Sequence, residues 1–444
     1  MRKSVIHILL FLSILCGGCD RPFGDPVAPG VEVISPDLSI AVSTTTLPLE
    51  LSVESARTVS RVTVNGVAFS PTGTPSHWAG TIDLAPGLNT LTVESFIDGQ
   101  LAGSELLRAL RATARVTETK NQSLPFLVGG HTMTNVGGDN LLLVGGAFGA
   151  GGDAYNDLHV KTPDFDLFRP FRSLLPQGRT GHTAVYLPDD RVLLMGGATV
   201  GNVTDISQLT ERVEVIQADG TVSPIPVSGD PIRRTFHTAT VSEGTDGVFI
   251  TIFGGLGDTQ YTPTPVLDVR RDMRTFRLRN DTLFALSPAI GPFVESMAGH
   301  VQVALDDASP RHHRVHLVHG YRFGDVLRPE TLIFDETTEA GLLFASASGP
   351  RHARLRAAAV HLPGIGAAII GGRAGDGSVI HDTVEVYVRD AGQFFLVPVE
   401  GELTLTPRFG HTASLLSDGR ILVAGGFAED NGPIGSVDYL TLTF

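Results

Sequence analysis

Between residues 31 and 111, apolar and polar positions alternate in short runs, the period of a half-buried strand. Leu47–Val53 alternates, and Val59–Phe69 does so again around an Asn65-Gly66 turn. Trp78–Leu84, Leu88–Val93 and Ser104–Arg111 follow, with turns at Pro86-Gly87 and Asp98-Gly99. Six or seven strands in so short a span is the size of a small β-sandwich. Trp78, the single tryptophan of the chain, is expected to anchor its core; the alternative is a platform for a sugar face.

From residue 114 the pattern changes to a repeat. Apolar runs end in glycine doublets: Gly145-Gly146, Gly196-Gly197, Gly254-Gly255, Gly371-Gly372 and Gly425-Gly426. A degenerate copy runs Val315–Val318 into His319-Gly320. The intervals are 51, 58, 65, 52 and 54 residues. Periods near fifty, each holding several strand-like runs, predict the blades of a β-propeller. The last copy reaches Phe444 after three strands, so Ala114–Thr119 is expected to supply its fourth and cover an open edge.

Arg179-Thr-Gly-His-Thr-Ala184 with Arg191–Gly197, and Arg408-Phe-Gly-His-Thr-Ala413 with Gly419–Gly426, resemble bacterial kelch repeats. The resemblance covers residues 114–444 and implies a six-bladed kelch-like β-propeller. It lacks the late tryptophan of the animal pattern, where Phe276 and Phe394 stand instead. Residues 31–113 resemble bacterial immunoglobulin-like modules through Val62–Val67, Trp78 and Gly87–Val93. The expected fold is therefore all-β, an immunoglobulin-like sandwich followed by a propeller.

Composition agrees: of 444 residues, 42% are hydrophobic and 18% charged, with 51 glycines. The net charge of -14 repels a phosphate backbone and argues against nucleic acid as a partner. Residues 1–18 carry Arg2 and Lys3, then a short apolar run, and read as a secretory signal. The ending Cys16-Gly17-Gly18-Cys19 resembles a lipobox, which implies lipidation of Cys19. Cys16 stands where a leucine is usual. Residues 19–30, rich in proline and glycine, read as a tether. The expected location is extracytoplasmic, lipid-anchored to a bacterial membrane.

Candidate chemistry is sparse. His131, His182, His237, His300 and His411 open equivalent strands, with Ala357 in that place in the fifth copy. Equivalent positions stand tens of degrees apart around a propeller axis, so a structural role is expected and no metal. His312, His313 and His316 are expected in an exposed loop and strand start. Arg179, Arg234, Arg354 and Arg408 each stand three residues before the repeated histidine position. They are the candidate ligand-binding residues, because guanidinium groups on an acidic protein suit a carboxylate or sulfate; the alternative is bonding to backbone carbonyls.

No catalytic residue or cofactor is expected: nucleophile elbows, metalloprotease motifs, phosphate loops and dinucleotide fingerprints are absent from the sequence. The kelch galactose oxidases need a cysteine that the body of this chain lacks. The leading expectation is a cell-envelope binding or scaffold module that engages a protein partner through the loops after the doublets. The alternative is a carbohydrate-binding or carbohydrate-modifying propeller using the arginine end of its channel. A structural spacer is the third reading. A scaffold predicts an apolar patch on the loop face; a sugar site predicts a deep central pocket with convergent polar groups.

Overall fold

The computed structural model describes residues 29–149, 152–165, 167–171, 173–229, 231–244, 247–258, 266–286, 297–305, 315–320, 322–323, 326–335, 343–347 and 349–444. The signal segment, Cys19, most of the tether, His312 and His313 lie outside them. The described chain is all-β, and its one helical element among the described residues is the short 3-10 turn Ile206–Gln208. Two compact units emerge.

The smaller unit contains 29–35, Pro48–Ile82 and Thr92–Leu106. Its strands belong to a seven-stranded sheet in the order Gly30–Ser35, Thr46–Glu54, His77–Asp83, Val67–Pro71, Arg61–Val64, Gly87–Ile97, Gln100–Arg111. The alternation read from the sequence sets which side chains are covered: Val93, Ser95 and Ile97 are buried and their neighbours are not. Trp78 is buried, as are Val62, Val64 and Phe69. Asn65 and Gly66 sit at φ 50° and 81°, the left-handed pair that a two-residue hairpin turn requires.

The larger unit takes Pro36–Leu47, Asp83–Leu91 and Leu107–Phe444. Its sheets follow the repeat. In the first copy Thr132–Asn135, Leu141–Val144, Leu158–Lys161 and Arg169–Pro170 form an antiparallel meander. The second uses Thr183–Tyr186, Val192–Met195, Val213–Ile216 and Val222–Pro224. The third, Thr238–Gly244, Gly247–Phe253, Met273–Arg279 and Thr282–Ala285, gains the short parallel strand Val227–Ser228. Val301–Ala304, Val315–His319, Thr331–Asp335 and Leu343–Ala347 make the fourth, and Ala358–Leu362, Gly366–Ile370, Val384–Val388 and Gln393–Val397 the fifth. The last joins Thr412–Leu415, Arg420–Ala424 and Val437–Thr443 to Thr113–Lys120. The N-terminal strand of the repeat region thus covers the edge of the C-terminal one, as the truncated last copy predicts.

The second strand of each sheet reads as an unbroken apolar run because both of its faces are covered. Leu141 and Leu143 pack against Leu422, Ala424 and Tyr439 of the last sheet. Leu142 and Val144 point the other way, onto Val192 and Leu194 of the second sheet. Leu193 and Met195 then meet Ile250 and Ile252 of the third. Phe253 and Met273 meet Val318 of the fourth, Leu317 meets Ala367 and Ile369 of the fifth, and Ala368 and Ile370 meet Ile421 and Val423 of the last. The packing therefore runs through these sheets and returns to its start.

Candidate functional site: the central cavity and its neck

The glycine doublets and the repeated histidines explain each other. Gly196 and Gly197 sit at φ 60° and 102°, which only glycine adopts at little cost. A Cβ on Gly196 would stand 2.5 Å from the Arg234 carbonyl oxygen and 3.0 Å from His237 Cε1; one on Gly197 would stand 2.9 Å from His182 Cβ. The first glycine therefore receives the histidine of the next repeat, and the second receives the histidine of its own. The same holds for Gly425 against His131 and Gly426 against His411.

Four of the five histidines are also stitched to a neighbour. Nε2 of His131, His182, His237 and His300 lies 2.8 to 3.0 Å from the hydroxyl of Thr412, Thr132, Thr183 and Thr238 in turn. Burial makes these rings hard to protonate: desolvation lowers the pKa to about 3 at His131, where Arg408 adds to the effect. It lowers it to about 4 at His300 and well below the ordinary value at His182, His237 and His411. The rings are neutral hydrogen-bonding spacers. Among the described residues, no three of His, Cys, Asp and Glu gather to hold a metal. Burial corrects one expectation: His316 is 1% exposed, inside strand Val315–His319 and not at an exposed strand start.

Among the described residues, the four candidate arginines are the largest fully buried side chains, at 0% to 2% exposure. Arg179 donates to the Gly196 and Arg212 carbonyls and pairs with Glu214. Arg234 donates to the Gly254 carbonyl and pairs with Asp272 at 3.1 Å. Arg354 bonds the Gly371 carbonyl and Glu385, and Arg408 the Gly425 carbonyl and Asp438 at 2.6 Å. Each guanidinium thus ties the approach to an inner strand to the first doublet glycine and to an acid in, or for Asp272 just before, the third strand of the same sheet. Burial alone would raise the Asp272 carboxyl, yet Arg270 and Arg234 hold it below the usual carboxylate range. The four do not line the central cavity. Their acidic partners carry a sequence signal, an acid next to an apolar third-strand run, as in Val213-Glu214 and Val384-Glu385.

The cavity measures about 330 Å³. It is walled by the inner strands and lined at one level by the residues just before the repeated histidine position: Gly130, Gly181, Phe236, Gly299, Arg356 and Gly410. Their backbones form a closed cycle of hydrogen bonds. Gly181 N–H donates to Gly130 O, Phe236 to Gly181, Gly299 to Phe236, Arg356 to Gly299, Gly410 to Arg356 and Gly130 to Gly410, all at 2.7 to 2.9 Å. Every member has φ between 51° and 71°. Four are glycine, the residue this backbone favours. Phe236 and Arg356 hold the same conformation with full side chains (φ 55° and 51°), at a cost of roughly 1–3 kcal/mol each. The Arg356 guanidinium lies 4.0 Å above the Phe236 ring, and the pair flanks Gly299.

The wall breaks symmetry beside this pair. Val301 replaces the threonine and Ala357 the histidine at one seam, so that stitch becomes an apolar contact. At the next seam Ala358 faces His411 in place of a threonine. Gln302, also on the wall, accepts from Thr238 at 2.6 Å and leaves its Nε2 without a partner among the described residues. Sequence reading passed over Phe236, Arg356 and Gln302. The signal was present: aligned on the histidine, the preceding residue is glycine in four copies and departs in two.

No family model matches the chain. Among curated proteins, the tRNA wybutosine-synthesizing protein 4 of Candida albicans is 27% identical over 183 residues, 39% of this chain and 25% of that protein. The chain thus matches about a quarter of that relative's length. The solved structure of YjhT, a propeller-type fold, superposes with a TM-score of 0.54 at 12% identity, over 72% of this chain and 97% of that one. At that identity the likeness concerns fold alone, and this chain has an all-β, propeller-like fold.

Proposed function

We propose that this protein is a cell-envelope lipoprotein, anchored through Cys19, that holds a small polar ligand of the saccharide class in the central cavity of a six-bladed, kelch-like propeller. An immunoglobulin-like module over 31–113 precedes the propeller. The observation that carries the reading is the broken symmetry of the cavity wall. A ring kept only for stability gains nothing from placing Phe236 and Arg356 at a backbone conformation that glycine fills four times. The cavity volume falls within the small-molecule range. Threonine hydroxyls and the Gln302 amide, whose buried Nε2 has no partner among the described residues, offer hydrogen bonds, and the Phe236 ring offers an apolar face, which is what a sugar presents in turn. The anchoring rests on the N-terminal sequence.

The test is calorimetric titration of the mature chain with neutral and acidic mono- and disaccharides. Saturable binding that Gln302→Ala weakens supports the reading. No heat with any sugar, together with a stoichiometric protein captured from solubilised envelope, turns it toward a scaffold. That second reading is favoured by Phe148 and Val379, two doublet-loop side chains that are 54% and 49% exposed. Capture lost on changing both to serine would place the partner on the loops.

A further inference from the structure

We infer that Arg356, which lines the cavity, and the neighbouring Arg373 together form an oxyanion subsite, so that the ligand carries a carboxylate or sulfate group. This deepens the cavity reading and rests on it. The chain is acidic overall, and each of the four arginines singled out from the sequence is neutralised by a buried carboxylate. Arg356 is different: it lines the cavity and has no carboxylate partner among the described residues. The charge that acts on it is another cation, Arg373. Burial, and then the Arg373 guanidinium, lower its pKa to about 10, so it stays charged at neutral pH. Arg373 follows the doublet Gly371-Gly372, and its backbone pairs with Leu355, next to Arg356. It too lacks an acidic partner among the described residues.

Both guanidinium groups are held by their faces. Arg356 stacks on Phe236 at 4.0 Å and Arg373 on Phe409 at 4.8 Å. Phe409 in turn packs against Phe427, a cavity residue. A guanidinium held over a ring still presents N–H groups away from it, and these bind oxyanions in bidentate fashion. Two like charges that feel each other, one of them buried, cost free energy unless an anion joins them. The strained backbone at Arg356 fixes the first of them in the cavity lining.

The experiment titrates the full mature chain with four probes: sodium glucuronate, glucose, acetate and sulfate. Arg356→Gln, Arg373→Gln and the charge-conserving Arg356→Lys are titrated alongside, with thermal melts reporting that each variant folds. The expected result is glucuronate binding at least tenfold tighter than glucose. Either glutamine variant then weakens glucuronate by tenfold or more and leaves the melt cooperative, and Arg356→Lys weakens it less. Acetate or sulfate competing with glucuronate assigns the anion to these arginines, and the stronger competitor says which group is preferred. Arginine-dependent binding of acetate or sulfate with no sugar binding keeps the subsite and removes the saccharide reading. Glucose and glucuronate binding equally, unmoved by the glutamine variants, overturns the subsite and keeps the cavity reading. No binding of any probe overturns both.

Discussion

At the scale of single residues, two kinds of left-handed glycine separate cleanly. Gly364 sits at φ 74° with nothing within 4 Å of the place a Cβ would take, whereas at Gly196 the Arg234 carbonyl oxygen stands 2.5 Å from that place. Gly364→Ala is therefore expected to cost about 1 kcal/mol, the penalty of φ alone. Gly196→Ala adds a clash with backbone that cannot swing away, and the expected cost rises above about 3 kcal/mol. Urea midpoints of the two variants check this; equal losses would mean the doublet serves as a turn only. The doublets were legible in the sequence as a repeat, but their task was not. The first glycine's close contacts reach across to the next repeat, about forty residues away, and no local pattern carries that information. Phe236 and Arg356 were hidden for the opposite reason: each looks ordinary alone and is informative only against the four glycines at equivalent places.

Individual strands and their connections are joined by two devices, and each has its own test. The first is the buried arginine. Arg408→Met leaves Asp438 charged and unpaired at 0% exposure, so about 3–5 kcal/mol of stability is expected to be lost. Replacing both, as Arg408→Met with Asp438→Leu, removes the orphaned charge and is expected to recover most of it, which a double-mutant cycle by calorimetry measures. The second device is the histidine–threonine stitch. Thr183→Val unpairs His237 and is expected to cost about 1–2 kcal/mol. Ala358→Thr does the reverse, giving His411 the hydroxyl that the other stitched seams have, with an expected gain near 1 kcal/mol; a lower melting temperature in that variant would show that the gap is closed by packing. The strands themselves were readable because each inner run is apolar on both faces and the connecting turns are rich in glycine, asparagine and aspartate. The arginines were readable as a ring of equivalent positions. Their pairing was not, since Glu214, Asp272, Glu385 and Asp438 lie in or just before third strands whose register against the arginine depends on the folded sheet.

For the molecule as a whole, the histidine ring makes stability depend steeply on acid. His131, His182, His237, His300 and His411 are neutral in the folded chain because burial lowers their pKa, to about 3 at His131 and about 4 at His300. Unfolded, each returns to an ordinary value near 6.5. Below that pH the unfolded chain takes up protons that the folded chain refuses, so their contribution is complete above about pH 6.5 and is lost as pH falls toward the folded-state values. Each ring removes about 1.4 kcal/mol per pH unit below pH 6. Five together remove about 7 kcal/mol per unit, as much as a domain's whole stability. The packing returns on itself through every sheet, so charge admitted at one seam strains the cycle at all of them. The chain is therefore expected to hold a nearly constant melting temperature from pH 8 to 6.5 and to unfold cooperatively between about pH 5 and 4, above the range where paired carboxylates such as Asp272 protonate. Calorimetry across that interval checks it, and His300→Gln is expected to flatten the slope by about one histidine's share. A melting temperature that stays level down to pH 4.5 would mean that the rings accept protons in place, and that the neutral stitch is the wrong account of why the repeat keeps a histidine there.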